Sequence, residues 1–202
     1  LRVLRFDPEV LYRSSLLPLL PFVIVRRVKM SVARVLRMGD PSLVVRARPL
    51  GNEEVSSLTS LIETLWETMA AAEGVGLAAP QIGVSVQVVV FGESSDRYPD
   101  QPAIPRTVLI NPVVEPLGDQ ETSAWEGCLS LPGMRGLVDR PDKIRYRGLD
   151  QQGCEIDRTA SGFHARVVQH ECDHLNGILF PMRIRDMRYF GFEQELEMIE
   201  RG

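Results

Sequence analysis

The chain has 202 residues, of which 44% are hydrophobic and 25% charged; this excludes collagen-like, low-complexity and disordered classes and fits one domain or at most two small ones. A chain of this length buries about 70% of the surface its unfolded form exposes, so a bound metal would serve chemistry rather than supply a missing core. The net charge of −4 and a pI near 5.5 exclude the broad basic footprint of a DNA-binding protein, and the widely spaced Cys128, Cys154 and Cys172 point to a reducing cytoplasm rather than a disulfide framework.

Residues 1–29 stand apart from the rest of the chain. Arg2, Arg5, Arg13, Arg26, Arg27 and Lys29 face only Asp7 and Glu9. The apolar run at 16–25 contains Pro18 and Pro21 and falls short of the roughly 20 residues that span a bilayer. No small-residue cleavage site comes after it. We read 1–29 as a basic and apolar extension, non-native or disordered, with Met30 as a candidate start. Residues 30–202 are expected to form one domain.

From Met30 onward the pattern is α+β. Apolar residues recur at Val55, Leu58, Leu61, Ile62, Leu65, Trp66 and Met69, and this spacing predicts an amphipathic helix over 54–72, with Asn52 as cap and Gly74 as stop. Short β-branched runs at 86–91, 108–114, 137–138, 144–148 and 155–156 predict a mostly antiparallel sheet. Between the first two, residues 94–106 are rich in Pro, Asp and Ser and predict a long loop. Further helices are predicted over 162–176, ended by Gly177, and over 192–201, with Leu196 and Ile199 as its apolar stripe. The expected fold is mostly antiparallel sheets packed around the central helix at 162–176.

That helix carries the strongest chemical signal, Gln169-His170-Glu171-Cys172-Asp173-His174. Residues four apart on a helix project from nearly the same face, so His170 and His174 can ligate one metal ion. Glu171 lies too far round to share their coordination but can reach a water at the ion, the arrangement of a metal-dependent hydrolase with an H-E-x-x-H motif. Catalytic sites of this kind use a third protein ligand. His164, six residues before His170, faces nearly the opposite side. Cys128, in Glu126-Gly127-Cys128-Leu129-Ser130, is the better third ligand, with Gly127 allowing close backbone approach and Pro132 drawing the chain out of regular sheet. The stretch Gly74-Val75-Gly76-Leu77-Ala78-Ala79-Pro80-Gln81 would let backbone groups and the Gln81 amide approach a substrate.

These three motifs, in this order and at these spacings, strongly resemble the peptide deformylase family over most of residues 30–180. The resemblance implies removal of the formyl group from the N-terminal formylmethionine of nascent chains. It implies one divalent metal, Fe²⁺ natively and replaceable by Ni²⁺, Co²⁺ or Zn²⁺, on Cys128, His170 and His174. Glu171 would be the acid/base, with Gln81 and the Leu129 backbone N–H holding the oxyanion. The methionine pocket would be lined by Val75, Gly76, Ala124, Glu126, Phe163 and Val167, with Arg135 near the substrate backbone. Asp173 would orient the site with Arg140 as its partner, and Cys172 would be inert packing. Arg166 stands where relatives often carry an aliphatic residue, and its stem could pack over the pocket or its guanidinium reach substrate. The acidic stretch 192–202 argues against ribosome contact by that route, although transient contact stays open. An H-E-x-x-H metallopeptidase and a catalytically silent metal-binding relative are the alternatives. The Cys-containing motif argues against the first, and Glu171 with Gln81 against the second.

Overall fold

The computed structural model describes residues 32–93 and 98–200, with the side chains of 197–200 left aside. The extension at 1–29, Met30, Arg201 and part of the predicted 94–106 loop lie outside the described residues. Among the described residues, no helix is long and apolar enough to cross a membrane.

Two antiparallel sheets form the frame. In the first, β1 (Gly76–Ala78), β2 (Val88–Glu93), β3 (Ile104–Pro116), β6 (Lys143–Leu149) and β7 (Glu155–Ser161) lie side by side in that order. In the second, β4 (Glu121–Cys128) and β5 (Leu131–Pro141) form a hairpin, and β8 (Phe190–Phe192) adds to the far side of β5. Among the described residues, four α-helices join them: α1 (Asn52–Val55), α2 (Thr59–Ala71), α3 (Gly162–Leu175) and α4 (Glu193–Glu200).

Side chains alternate across a strand, and β2 is apolar on both faces because both are covered. Val88 and Val90 pack with Ile62, Leu65 and Met69 of α2, while Val89 and Phe91 pack with Ala165, Val168, Cys172 and Leu175 of α3. A third cluster joins Cys128, Leu131 and Val138 of the second sheet to Leu43, Leu179 and Phe180. Leu65 is fully buried, so its truncation to Ala would cost about 2–5 kcal/mol.

The expected helix over 54–72 is interrupted. Ser56 and Ser57 turn their hydroxyls back onto the Glu53 and Glu54 carbonyls, a local bond that competes with helix continuation. Gly51 occupies the cap position expected for Asn52, and the Glu54 carboxylate accepts its N–H at 2.9 Å. At the other end Glu73, rather than Gly74, takes the left-handed conformation at φ 54°. Pro132 lies within β5 instead of ending the sheet, and the chain leaves the ladder at the Leu129–Ser130 turn. Arg106, placed in the predicted loop, belongs to β3.

Helix α3 contacts β1, β2, β3, β6 and β7 of the first sheet and β5 of the second. It ends at Leu175, and Gly177 comes next but one at φ 70°, where a Cβ would fall 2.7 Å from the Val44 backbone. Only glycine fits that stop.

Candidate active site

The i, i+4 spacing on α3 places the rings of His170 and His174 with centroids 5.1 Å apart. At the end of β4, Cys128 presents its Sγ 3.3 Å from His174 Nε2. One donor atom from each of Cys128, His170 and His174 lies within 4.8 Å of the other two. Metal–ligand bonds of about 2.0–2.3 Å put the donors of one tetrahedral ion about 3.4–3.6 Å apart, so this cluster is the right size for one. Sulfur with two imidazoles is a donor set for borderline cations, and not for Mg²⁺ or Ca²⁺.

The cysteine is prepared for the anionic form. Burial opposes charge on Cys128, but His174 and His170 outweigh it and hold the thiol well below its ordinary value. The Ser130 N–H and Gln81 Nε2 also point at Sγ, from 3.4 and 3.5 Å. Gln81 is itself fixed, since its Oε1 accepts the Ala78 N–H at 2.8 Å and its Nε2 donates to Ser130 Oγ at 3.1 Å.

Glu171 is buried and its Oε2 has no protein partner. Burial pushes its carboxyl up to about 7, against the opposing pull of His170 and His174. A buried oxygen left unsatisfied is costly, and Glu171 is one of the residues that line the adjoining cleft. The opposite side of the carboxylate is pressed against β1, where a Cβ on Gly76 would sit 2.6 Å from Glu171 Cδ. Gly76 is therefore required for close approach rather than for a turn.

The cleft beside these groups has a volume of about 270 Å³, and its wall includes Val75, Gly76, Ala124, Leu129, Phe163 and Val167 together with Glu171, Cys128 and His170. That size suits one side chain and its flanking backbone. A larger cavity of about 1290 Å³ opens elsewhere, and its wall contains none of Cys128, His170, Glu171 or His174.

Comparison with known proteins decides the family. The profile described as "Polypeptide deformylase" matches residues 32–189. The chain belongs to the polypeptide deformylase family. It is 59% identical over 163 residues to peptide deformylase 2 of Ralstonia nicotianae, covering 80% of this chain and 92% of that one. It is 60% identical over 163 residues to peptide deformylase 1 of Nitrosomonas europaea, covering 80% and 93%. Among solved structures it resembles the Met-Ala-Ser-bound class I type b peptide deformylase of Acinetobacter baumannii (TM-score 0.73, 37% identity, 77% of this chain and 99% of that one). A peptide deformylase from Synechococcus elongatus in complex with actinonin is similar at TM-score 0.68 and 32% identity, covering 83% and 84%.

Within this deformylase scaffold, the sequence-predicted residues fall in three places. Cys128, His170, His174, Glu171 and Gln81 converge, and Leu129 succeeds Cys128 in the turn between β4 and β5. Val75, Gly76, Ala124, Phe163 and Val167 line the cleft. Arg135, on β5, is paired at 2.5 Å through Nε with Glu193 Oε1 of α4.

Glu126 also reaches the cleft wall, but its carboxylate turns away from it. Oε2 accepts from His170 Nδ1 at 2.8 Å and from Arg140 Nη2 at 2.9 Å, while Oε1 takes Arg140 Nε at 2.6 Å. Burial pushes this carboxyl up, yet the hydrogen bonds from His170 and Arg140 prevail and hold it well below the usual range. The expected Arg140–Asp173 pairing is present at 2.8 Å, and Arg183 supplies a second partner for Asp173 at 2.6 Å. Cys172 packs in the core beneath α3, where burial pushes its thiol up.

Residues the motifs did not single out are Tyr98, Gln101 and Trp125, which line the cleft, and Ser130, which receives the Gln81 amide. The Tyr98 ring lies 5.1 Å from that of Phe163. No short-range pattern marks them: Tyr98 and Gln101 precede β3, and Trp125 is placed by the pairing of β4 with β5.

Proposed function

We propose that this peptide deformylase removes the formyl group of an N-terminal formylmethionine in the cleft beside α3, releasing formate, with residues 30–202 as the catalytic domain. The observation that supports the reading is the convergence of Cys128, His170 and His174 beside a buried Glu171 oxygen that has no protein partner. In this reading α3 is the central H-E-x-x-H helix. Cys128, His170 and His174 would hold one divalent ion, natively Fe²⁺, with Ni²⁺, Co²⁺ or Zn²⁺ able to replace it. When bound, such an ion polarises the formyl oxygen and lowers the pKa of a water.

The side chains supply the rest. Glu171 Oε2 accepts the proton of the attacking water and returns it to the departing amine nitrogen, and a carboxyl titrating near 7 is suited to both transfers. The Gln81 amide and the Leu129 backbone N–H hold the oxyanion; one such donor is worth roughly 10²–10³ in rate. Because the Ala78 N–H holds Gln81 Oε1, the amide nitrogen is the end that faces the cleft. Val75, Gly76, Ala124, Phe163 and Val167 receive the methionine side chain beside the buried stem of Glu126, and Arg135 holds the substrate backbone. A thiolate ligand needs a reducing compartment, so we place the reaction on nascent chains in the cytoplasm. Ribosome contact through α4 is disfavoured, since Glu193 and Glu195 open that helix.

Formate release from a formyl-Met tripeptide by Ni²⁺- or Fe²⁺-loaded protein tests the reading. Release is expected, and Cys128→Ala should bind no stoichiometric metal. A loaded protein that leaves the formyl peptide intact would overturn the reading, and cleavage of an unformylated peptide would favour the peptidase.

A further inference from the structure

Arg166 is buried in the first half of α3 and has no part in the reaction above. Its guanidinium is turned inward and hydrogen-bonded through both terminal nitrogens. Nη1 donates to Glu126 Oε1 at 2.7 Å and to the Val138 carbonyl at 2.9 Å, and Nη2 donates to the Thr122 carbonyl at 2.6 Å. Thr122 lies on β4 and Val138 on β5, so one side chain ties α3 to both strands of the hairpin that carries Glu126 and Cys128. Its stem meanwhile forms part of the cleft wall.

Arg166 and His170 are four residues apart and share a helix face. They grip opposite oxygens of one carboxylate: Arg166 takes Glu126 Oε1, and His170 Nδ1 takes Oε2. Arg140 also binds both oxygens of Glu126, Nε to Oε1 at 2.6 Å and Nη2 to Oε2 at 2.9 Å, while its Nη1 reaches Asp173. Without Arg166, Oε1 would keep only Arg140 Nε, and the Glu126–Arg140 pair would lose its tie to α3 on that side and could pivot together, carrying Oε2 off the line of His170 Nδ1–H.

We propose that Arg166 is a positioning residue for the metal centre: it locks the Glu126 carboxylate in the orientation that receives His170 Nδ1–H and so aims His170 Nε2 at the ion. This rests on reading Cys128, His170 and His174 as the ligands. Carboxylate partners of metal-bound histidines fix ring orientation and are worth about 10–100-fold in metal affinity. Arg166 acts one step further out, so its share is about tenfold.

The test uses full-length protein loaded with Co²⁺, with dissociation tracked by chelator competition and site geometry by the thiolate–Co²⁺ absorption bands. Arg166→Met keeps the stem and removes the guanidinium. It should weaken Co²⁺ retention about tenfold and shift the bands, while KM for a formyl-Met peptide stays within about twofold. Arg166→Lys, which keeps charge but loses the planar fork, should fall between. Glu126→Gln should weaken retention at least as much, and adding Arg166→Met to it should change little further.

Wild-type retention and bands in Arg166→Met, or losses that simply add in the double variant, would overturn the proposal. If Arg166→Met does not fold, Arg166→Lys carries the test, and wild-type retention there is equally fatal. Should the unmutated protein take up no Co²⁺, the ligand reading itself fails, which is a separate outcome.

Discussion

Two glutamates flank the histidines of α3, and they live under opposite rules. The Glu126 carboxylate is wrapped by donors from Arg140, Arg166 and His170. Glu171, equally enclosed, keeps an oxygen with no protein partner. Burial alone pushes either carboxyl up; the donors reverse this at Glu126, and nothing reverses it at Glu171. One glutamate is thereby held as a fixed anion that orients a ring, and the other is left able to exchange a proton. The residue type is the same, and the count of surrounding donors separates scaffold from chemistry.

Substituting each member separates the two roles. The largest effect is expected at Glu171→Gln, where formate release should fall about 10²–10⁴-fold with metal content retained, measured by steady-state assay beside metal analysis. Glu126→Ala should strike the fold instead. It leaves Arg140 and Arg166 short of their shared anion, and breaking a buried pair costs about 3–5 kcal/mol, readable as a lowered midpoint in urea.

A third experiment reverses the usual sign of mutation. In metal-free protein the Glu171 carboxyl titrates near 7 when folded, against an ordinary 4.5, so the folded state binds the proton more tightly than the unfolded chain. Stability from this preference is complete below pH 4.5 and is lost as the pH rises through 7. Metal-free Glu171→Gln should therefore be more stable than metal-free wild type at pH 8, by up to about 3 kcal/mol, and the two should converge toward pH 5. Equal pH dependence in both proteins would place the titration elsewhere. The smallest effect belongs to Arg145→Ala, whose exposed pairing with Asp157 should leave activity and thermal midpoint unchanged within error.

Much of this was legible where the signal is local. The His170/His174 spacing, the β-branched run of β2 and the glycine stop at 177 each act within a few residues, and each falls where the pattern places it. Strand β4 was not visible, since Glu121-Thr122-Ser123-Ala124-Trp125-Glu126-Gly127-Cys128 has no β-branched alternation and is held by its pairing with β5. Pro132 reads as a breaker, yet the hairpin absorbs it. The direction of the Glu126 carboxylate depends on Arg140 and Arg166, far away in sequence, and could not be read from the motif. Arg166 did leave a trace, because a charged residue four before His170 shares its face.

Gly76 has a consequence for how this cleft can vary. A Cβ there would fall 2.6 Å from Glu171 Cδ, so the smallest side chain would displace the Glu171 carboxylate itself. Variation in the cleft, or escape from a compound seated against β1, falls instead to other parts of the wall such as Val75, Ala124, Phe163 and Val167. A ligand that spends its contacts on the Gly76 backbone meets a surface the protein is not free to redesign.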